Sequence, residues 1–133
     1  MSEKLIKEML SKKKWAVVGA TPNTEKIAYK IVKKLRDCNY EVYCVNPNYD
    51  KIEDNICYKD IDSLPEIPDC IDFVVPPAAT KDIVETLDPD KIKYLWFQPG
   101  SFDAETVCIA EEKGFQVVEN GACVLVEMRK FHY

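Results

Sequence analysis

One turn near the start of the chain has the residue types that hold phosphate groups. It joins a short apolar stretch to a basic segment with helical spacing, and it consists of Gly19, Ala20, Thr21, Pro22, Asn23 and Thr24. Gly19 lets the chain turn tightly, and the free N–H groups at the start of the next helix favour an anion. Thr21 offers a hydroxyl group and Lys26 a positive charge. We therefore predict a phosphate cradle; the alternative is that Thr24 only caps a helix starting near Glu25.

The turn after the second apolar run indicates which nucleotide fits. The first turn lacks the second and third glycines of the G-x-G-x-x-G pattern found in ordinary NAD sites. Those sites also place Asp or Glu at the end of the second strand to bind the ribose hydroxyls, whereas this chain has Asn46 and Pro47. Without that carboxylate, the site suits a ribose that carries a phosphate, as in NADP and coenzyme A. Lys51 either supplies charge there or is a solvated surface lysine.

Two later segments have residue types suited to other parts of such a ligand. Val75, Pro76 and Pro77 follow the third apolar run and form a rigid apolar lip for an adenine or a pantetheine arm, unless the prolines only end a strand. Cys123 follows the fifth run, where a helix start would lower the pKa of its thiol and bring it near the thiol of the ligand. One interpretation is a mixed disulfide under oxidation; the other is a small buried hydrophobic residue.

Hydrophobic patterning predicts the elements that position these turns. Apolar runs rich in β-branched and aromatic residues recur at 15–19, 41–45, 70–75, 93–98 and 115–119. Helix-patterned segments lie between most of them, and one has a capping residue at Asp103 and a stop signal at Gly114. Several runs are continuously apolar, as in parallel strands covered on both faces. The pattern predicts an α/β fold, a single doubly wound domain with about five parallel strands.

Two other segments have different expected structures. The first, 1–13, has an apolar stripe at helical spacing, made of Leu5, Ile6, Met9 and Leu10. This stripe predicts a helix packed on the sheet, with an amphipathic membrane anchor as the alternative. The second, 46–69, contains three prolines and no long apolar periodicity, so we expect it to be mostly irregular with one short helix. We assign 1–133 to one domain.

Composition argues against several classes of function. The formal net charge of −5 is unlike that of nucleic-acid-binding proteins, which cluster Lys and Arg. No apolar run has the length of a signal peptide core or a membrane span, so we expect a cytoplasmic protein that binds no membrane. The six cysteines include no C-x-x-C pair and the one histidine is His132, so we predict reduced thiols and no metal site. No serine lies in a G-x-S-x-G elbow, and we assign no catalytic residue.

A set of short motifs resembles a known family. The motifs are "VVGAT" at 17–21, Tyr29-Lys30, "VNP" at 45–47, "LWFQPG" at 95–100, and Cys123. Together they resemble the small single-domain coenzyme A-binding proteins, which share a Rossmann-like fold with the nucleotide-binding domain of the succinyl-CoA synthetase α subunit. The "VVPPAAT" turn is similar to the Val-Pro-Pro loop of that subunit. The resemblance covers about 14–127.

The resemblance implies a role for each turn. Gly19 to Thr24 and Lys26 would cradle the phosphates, Asn46 and Pro47 would flank the adenosine, and Val75 to Pro77 would line the path of the ligand. Gln98 and Gly100 would lie beside the pantetheine arm. Two cations of the relatives are missing, since many small members have an arginine where Val75 stands and the synthetase has a lysine near Tyr49.

These observations lead to one functional prediction and two alternatives. We expect a module that binds coenzyme A or acyl-CoA without its own active site and serves as a carrier, sensor or regulator. One alternative is an NADP-linked redox enzyme or sensor. The other is an interaction subunit that meets a partner through aromatic residues near Phe131 and Tyr133. Assembly as a homodimer or with a partner enzyme stays open.

Overall fold

The computed structural model describes residues 2–133, which form one sheet between two layers of helices. The helices are α1 (Ser2–Leu10), α2 (Ile27–Asp37), α3 (Pro77–Thr86), α4 (Ala104–Lys113) and α5 (Val124–Lys130), with a 3-10 turn at Ile61–Ser63. The strands are β1 (Lys14–Val18), β2 (Glu41–Val45), β3 (Lys51–Ile52), β4 (Asn55–Tyr58), β5 (Cys70–Phe73), β6 (Tyr94–Phe97) and β7 (Gln116–Val118). The predicted α/β class is therefore confirmed.

The sheet is doubly wound, as predicted. Its strand order is β3-β4-β2-β1-β5-β6-β7, and every neighbouring pair is parallel except β3 with β4. From β1 the chain winds outward through β2 and β4, then returns to the centre and winds the other way through β5, β6 and β7. The direction of winding thus reverses between β1 and β5, which is where ligands bind in open α/β sheets.

The segment 46–69 is more regular than we expected. It holds β3, β4 and the 3-10 turn, so the sheet has six parallel strands where the sequence indicated about five. β4 pairs in parallel with β2, with Cys44 opposite Cys57 and Val45 opposite Tyr58. The four residues of β4 are too few to give an apolar run. Pairing with the edge of β2 makes them a strand, because it satisfies their backbone groups.

Each face of the sheet is covered by its own set of helices. Trp15 and Trp96 lie at the centre of the face under α1, α2 and α5, with their ring centroids 6.1 Å apart. Phe73 and Phe97 lie on the opposite face, under α3 and α4, with ring centroids 5.5 Å apart. Burial on both sides explains why β1, β5 and β6 read as continuous apolar runs.

The N-terminal helix α1 lies on the first of these faces. Its Ile6, Met9 and Leu10 side chains are buried in the core. The hydroxyl of Tyr40 donates to the carbonyl of Leu10, and the hydroxyl of Tyr94, in β6, donates to the Glu8 carboxylate. That hydrogen bond raises the pKa of Tyr94 to about 12. In the described residues no helix is both long and apolar enough to cross a bilayer.

Candidate functional site

The carboxyl ends of β1, β2, β4 and β5 lie side by side at one edge of the sheet. The turns that follow these strands begin at Gly19, Asn46, Lys59 and Val74. Three of them were predicted to contact a ligand, and the winding of the sheet brings these three together. The turn after β4 was not predicted, because β4 itself was not.

Gly19 has a backbone and a position that exclude a side chain. Its φ is +97°, a conformation that L residues rarely adopt. A Cβ built on it would overlap the carbonyl oxygen of Val74 and lie 2.8 Å from Val75 Cγ1. Its N–H donates to the carbonyl of Val45 at 2.9 Å. Because Gly19 has no side chain, the carboxyl ends of β1, β2 and β5 can pack closely together.

The rest of the first turn is held by its own polar side chains. Thr21 Oγ1 accepts from the N–H of Asn23 at 3.2 Å, and Asn23 Oδ1 accepts from the N–H of Glu25 at 3.0 Å. Helix α2 begins at Ile27, two residues later than expected, and Lys26 occupies its N-cap position. No side chain caps this helix, so the alternative in which Thr24 acts as the cap is wrong. The N–H groups of the first turn of α2 are therefore not held by a capping side chain.

Pro22, Asn23, Thr24 and Lys26 are exposed, Thr21 is half-buried, and Ala20 is buried. Ala20 and Thr21 also line a cleft of about 200 Å³ between α2 and the β3–β4 hairpin. The hydroxyl of Tyr29 in this cleft donates to Glu53 Oε2 at 2.7 Å, and the hydrogen bond raises the pKa of Tyr29. The residues of the turn with exposed side chains remain candidates for phosphate contact.

Asn46 joins the second turn to the first. Its Nδ2 donates to the carbonyl of Ala20 at 2.9 Å, and its Oδ1 accepts from the N–H of Asn48 at 2.9 Å. Both ends of the amide are thus used within the protein, and Pro47 beside it is exposed. The end of β2 carries no carboxylate.

A larger cleft of about 370 Å³ opens next to Pro47 on the side of α3. Its apolar lining is formed by Val18, Val45, Pro47, Ile61 and Ile83. Its charged lining is formed by Lys59, Asp60, Asp62 and Asp82. An apolar cleft with a few polar groups at its rim, at the edge where the winding reverses, is typical of a nucleotide base pocket.

The proline turn after β5 starts a helix. Pro76 is the N-cap residue of α3 and Pro77 its first residue, a position for which proline is preorganised. Val75 and Pro77 are half-buried, and Pro76 is exposed. Both prolines thus have a structural role in this turn.

Gln98 has a different environment from the other predicted residues. It is only 2% exposed. Its Nε2 donates to Cys123 Sγ at 3.3 Å, and its Oε1 accepts from the N–H of Val124 at 2.9 Å. The side chain therefore holds the start of α5 and the half-buried thiol of Cys123, its N-cap residue. Gly100 lies in the turn after Gln98 with a φ of +87° and open space around it.

One buried residue near this edge was missed. Asp72 in β5 is fully buried, and neither of its carboxylate oxygens has a hydrogen-bond partner among the described residues. It lies between Val17 and Trp96 in the register of the sheet. Burial raises the pKa of its carboxyl well above the ordinary value, because the charged form is poorly solvated there. An aspartate inside an apolar run was the signal in the sequence.

The family is decided by the extent of one match. The sequence model of the CoA binding domain family matches residues 13–129. The chain belongs to the CoA binding domain family. This agrees with the predicted resemblance, and the matched range includes every turn at the carboxyl edge of the sheet.

Relatives and solved structures extend the picture. The chain is 30% identical over 113 residues to an acetate–CoA ligase (ADP-forming) I of Archaeoglobus fulgidus, covering 77% of this chain but only 16% of that enzyme. It is 31% identical over 121 residues to the uncharacterized protein YneT of Bacillus subtilis, covering 85% of this chain and 84% of that protein. A hypothetical protein of Pyrococcus horikoshii superposes with a TM-score of 0.90 at 32% identity, covering 98% and 92% of the two chains. This CoA binding domain thus spans a small part of the ligase and most of the smaller proteins.

Proposed function

We propose that this protein binds coenzyme A or acyl-CoA at the carboxyl edge of its sheet. The observation that carries the proposal is the close contact of Gly19 with the end of β5, beside the uncapped start of α2. This arrangement leaves backbone N–H groups and the positive end of a helix dipole for a pyrophosphate. The ADP-forming ligase among its relatives is a CoA ligase by name, which supports the same ligand class.

The proposal assigns one turn to each part of the ligand. The turn 19–24 and Lys26 bind the pyrophosphate. The adenosine lies at Asn46 and Pro47, with its base in the apolar cleft of about 370 Å³. The pantetheine arm runs along Val75 to Pro77 toward Gln98 and Gly100, which places its thiol near Cys123.

We further propose that the protein binds its ligand without transforming it and acts as a carrier, sensor or regulator. The polar groups of Asn46 and Gln98 are used within the protein, and neither side chain transfers protons at neutral pH. The six free cysteines suit a reducing compartment such as the cytoplasm. Assembly as a homodimer or with a partner enzyme is compatible with such a role.

A comparison of melting temperatures tests the ligand class. The protein is heated with coenzyme A, acetyl-CoA, NAD or NADP, each in large excess. A ligand present at about 100 times its Kd adds roughly 2.7 kcal/mol of stability, which shifts Tm by several degrees in a domain of this size. We expect shifts with the two CoA compounds only. A shift with NADP alone would replace this proposal by the NADP-linked alternative.

The position of Cys123 leads to a covalent variant of the same proposal. With the disulfide of coenzyme A as oxidant, the Cys123 thiolate would attack one sulfur, form a mixed disulfide and release one coenzyme A thiol. Intact-protein mass spectrometry should then show one adduct that reductant removes and that Cys123→Ser lacks. The exposed Cys108 serves as the control position. An adduct that persists in Cys123→Ser and disappears in Cys108→Ser would contradict this assignment.

A further inference from the structure

We propose that Lys59 is the residue that recognises the phosphate on the adenosine ribose and so distinguishes phosphorylated from unphosphorylated adenosine. This inference rests on the proposed function and names a residue that determines the specificity of that site. A phosphate needs a cationic partner, and Lys59 is in the lining of the cleft beside Pro47.

The position of Lys59 follows from the unpredicted strand β4. β4 pairs with β2 in parallel, with Val45 opposite Tyr58, so Lys59 leaves the sheet beside Asn46. The N–H of Asn46 donates to the carbonyl of Tyr58 at 2.9 Å and fixes this register. In nucleotide sites of this architecture the ribose hydroxyls lie at the end of the second strand. A phosphate on that ribose therefore lies next to the first residue after β4.

The contacts of Lys59 hold its ammonium group at this place. Nζ donates to the carbonyl of Pro47 at 3.2 Å and lies 2.9 Å from Asp50 Oδ1. The Lys59 side chain is about half exposed and that of Asp50 is 90% exposed, so a phosphate can displace Asp50 at little cost. Until an anion binds, this exposed pair holds the ammonium group beside Pro47.

The carboxylates of the cleft restrict where a phosphate can go. Asp60 Oδ1 already accepts from the N–H of Ser63 at 2.9 Å and from its hydroxyl at 2.7 Å. Asp62 and Asp82 line the other side of the cleft, toward the 3-10 turn and α3. Because like charges repel, the phosphate is favoured on the side of Pro47 and Lys59 and disfavoured in the part that takes the base.

Two other lysines are less well placed for this contact. Lys26 lies at the start of α2, in the turn assigned to the pyrophosphate. Lys51 is exposed on β3, the edge strand, and is not among the residues that line the cleft. Lys59 is the one cation in that lining. Lys51 and Lys26 therefore supply matched controls of the same residue type.

Isothermal titration calorimetry with coenzyme A and dephospho-CoA tests the assignment. The proteins are the wild type and the variants Lys59→Gln, Lys51→Gln and Lys26→Gln, each checked for an unchanged circular dichroism spectrum. We expect Lys59→Gln to weaken the binding of coenzyme A about tenfold and the binding of dephospho-CoA less than about twofold. This difference corresponds to the loss of roughly one charge-assisted contact. Lys51→Gln should leave the affinity for both compounds unchanged, and Lys26→Gln should weaken the binding of both to the same extent.

The outcomes separate this inference from the proposed function. In one outcome the wild type binds both compounds, while Lys59→Gln keeps its affinity for both or loses affinity for both equally. That result overturns the role of Lys59 and leaves the proposed function intact. A wild type that binds neither compound overturns both. A selective loss in Lys26→Gln or Lys51→Gln instead of Lys59→Gln assigns the phosphate to another lysine and also overturns the inference.

Discussion

Gly19 is the residue at which the geometry of the site is most restricted. Its positive φ and its contact with the backbone of Val74 are two separate constraints, and Gly100 shares only the first of them. Comparing alanine substitutions at the two positions therefore isolates the effect of the contact.

For these substitutions we expect unequal losses of stability. Gly100→Ala should cost about 1–2 kcal/mol from the unfavourable φ alone. Gly19→Ala should cost about 1–3 kcal/mol more, because Val74 must move, and it should also weaken ligand binding. Urea unfolding followed by circular dichroism gives both values. Equal losses of stability would show that β5 shifts at no cost to accommodate the added methyl group. The close contact would then not restrict residue 19 to glycine.

Asp72 is the residue whose burial destabilises the folded protein. Its buried carboxyl has no hydrogen-bond partner among the described residues, and burial raises its pKa well above 3.8. The folded protein therefore holds this proton at pH values where the unfolded chain has released it. Because the unfolded chain then binds fewer protons, the free energy of unfolding falls as pH rises from about 4 toward the raised pKa.

Substitution of Asp72 should reverse this penalty. Asp72→Val removes the unsatisfied carboxyl from its place between Val17 and Trp96. We therefore expect the free energy of unfolding to rise by about 1–3 kcal/mol at pH 8. The gain should shrink as pH is lowered toward 4. Asp72→Asn, which is polar but does not titrate, should share the flatter pH profile with a smaller gain. If the free energy of unfolding changed with pH in the same way in the wild type and Asp72→Val, the buried carboxyl would not be the cause of the pH dependence.

At the scale of single elements, α5 depends on a side chain from another strand. This helix has no capping side chain of its own, and Gln98 supplies the acceptor for the N–H of Val124. Helix α4, in contrast, is capped by its own Asp103, which accepts from the N–H of Thr106 at 2.9 Å, and it ends at Gly114 in the left-handed conformation, as predicted. Local sequence signals therefore describe α4 and miss the start of α5.

The dependence of α5 on Gln98 can be measured. Gln98→Ala leaves the Val124 N–H without its partner and should cost about 1–3 kcal/mol. Cys123→Ser keeps an acceptor for Gln98 Nε2 and should cost less. Hydrogen exchange should show faster exchange of the Val124 amide in Gln98→Ala. Unchanged exchange there would mean that Gln98 does not hold the helix.

At the scale of the whole molecule, α1 completes the core of one face. Leu10 is fully buried in the core cluster of this face, whereas Leu5 on the same helix is half-buried. The helix is joined to the sheet by the hydrogen bonds from Tyr40 to Leu10 and from Tyr94 to Glu8. This position leaves little apolar surface of α1 for a membrane.

We therefore expect α1 to contribute to global stability. Leu10→Ala should cost about 2–5 kcal/mol, as large-to-small changes in well-packed cores do. Leu5→Ala should cost clearly less, because part of that side chain is already in water. Cooperative urea unfolding in both variants, monitored by tryptophan fluorescence, gives the comparison. Similar small losses would show that α1 is peripheral to the core.

The sequence by itself determined the layered fold and the edge of the sheet at which the predicted turns meet. Continuous apolar runs such as 15–19 require burial on both faces, and that requirement alone specifies a parallel sheet between helices. Gly19, Asn46 and the proline turn could be assigned to one edge because the carboxyl ends of parallel strands all lie there.

Only the tertiary structure decided the contacts between segments that are distant in sequence. Lys59 is placed by the pairing of β4 with β2, Gln98 by the position of α5, and Asp72 by complete burial. The contacts of Lys59 and Gln98 have no local signal, because each depends on backbone groups supplied by another part of the chain. An aspartate inside an apolar run marks Asp72, but the run does not show what surrounds its carboxyl. Periodicity reports how one segment is buried, whereas its partner is selected by the packing of the whole fold.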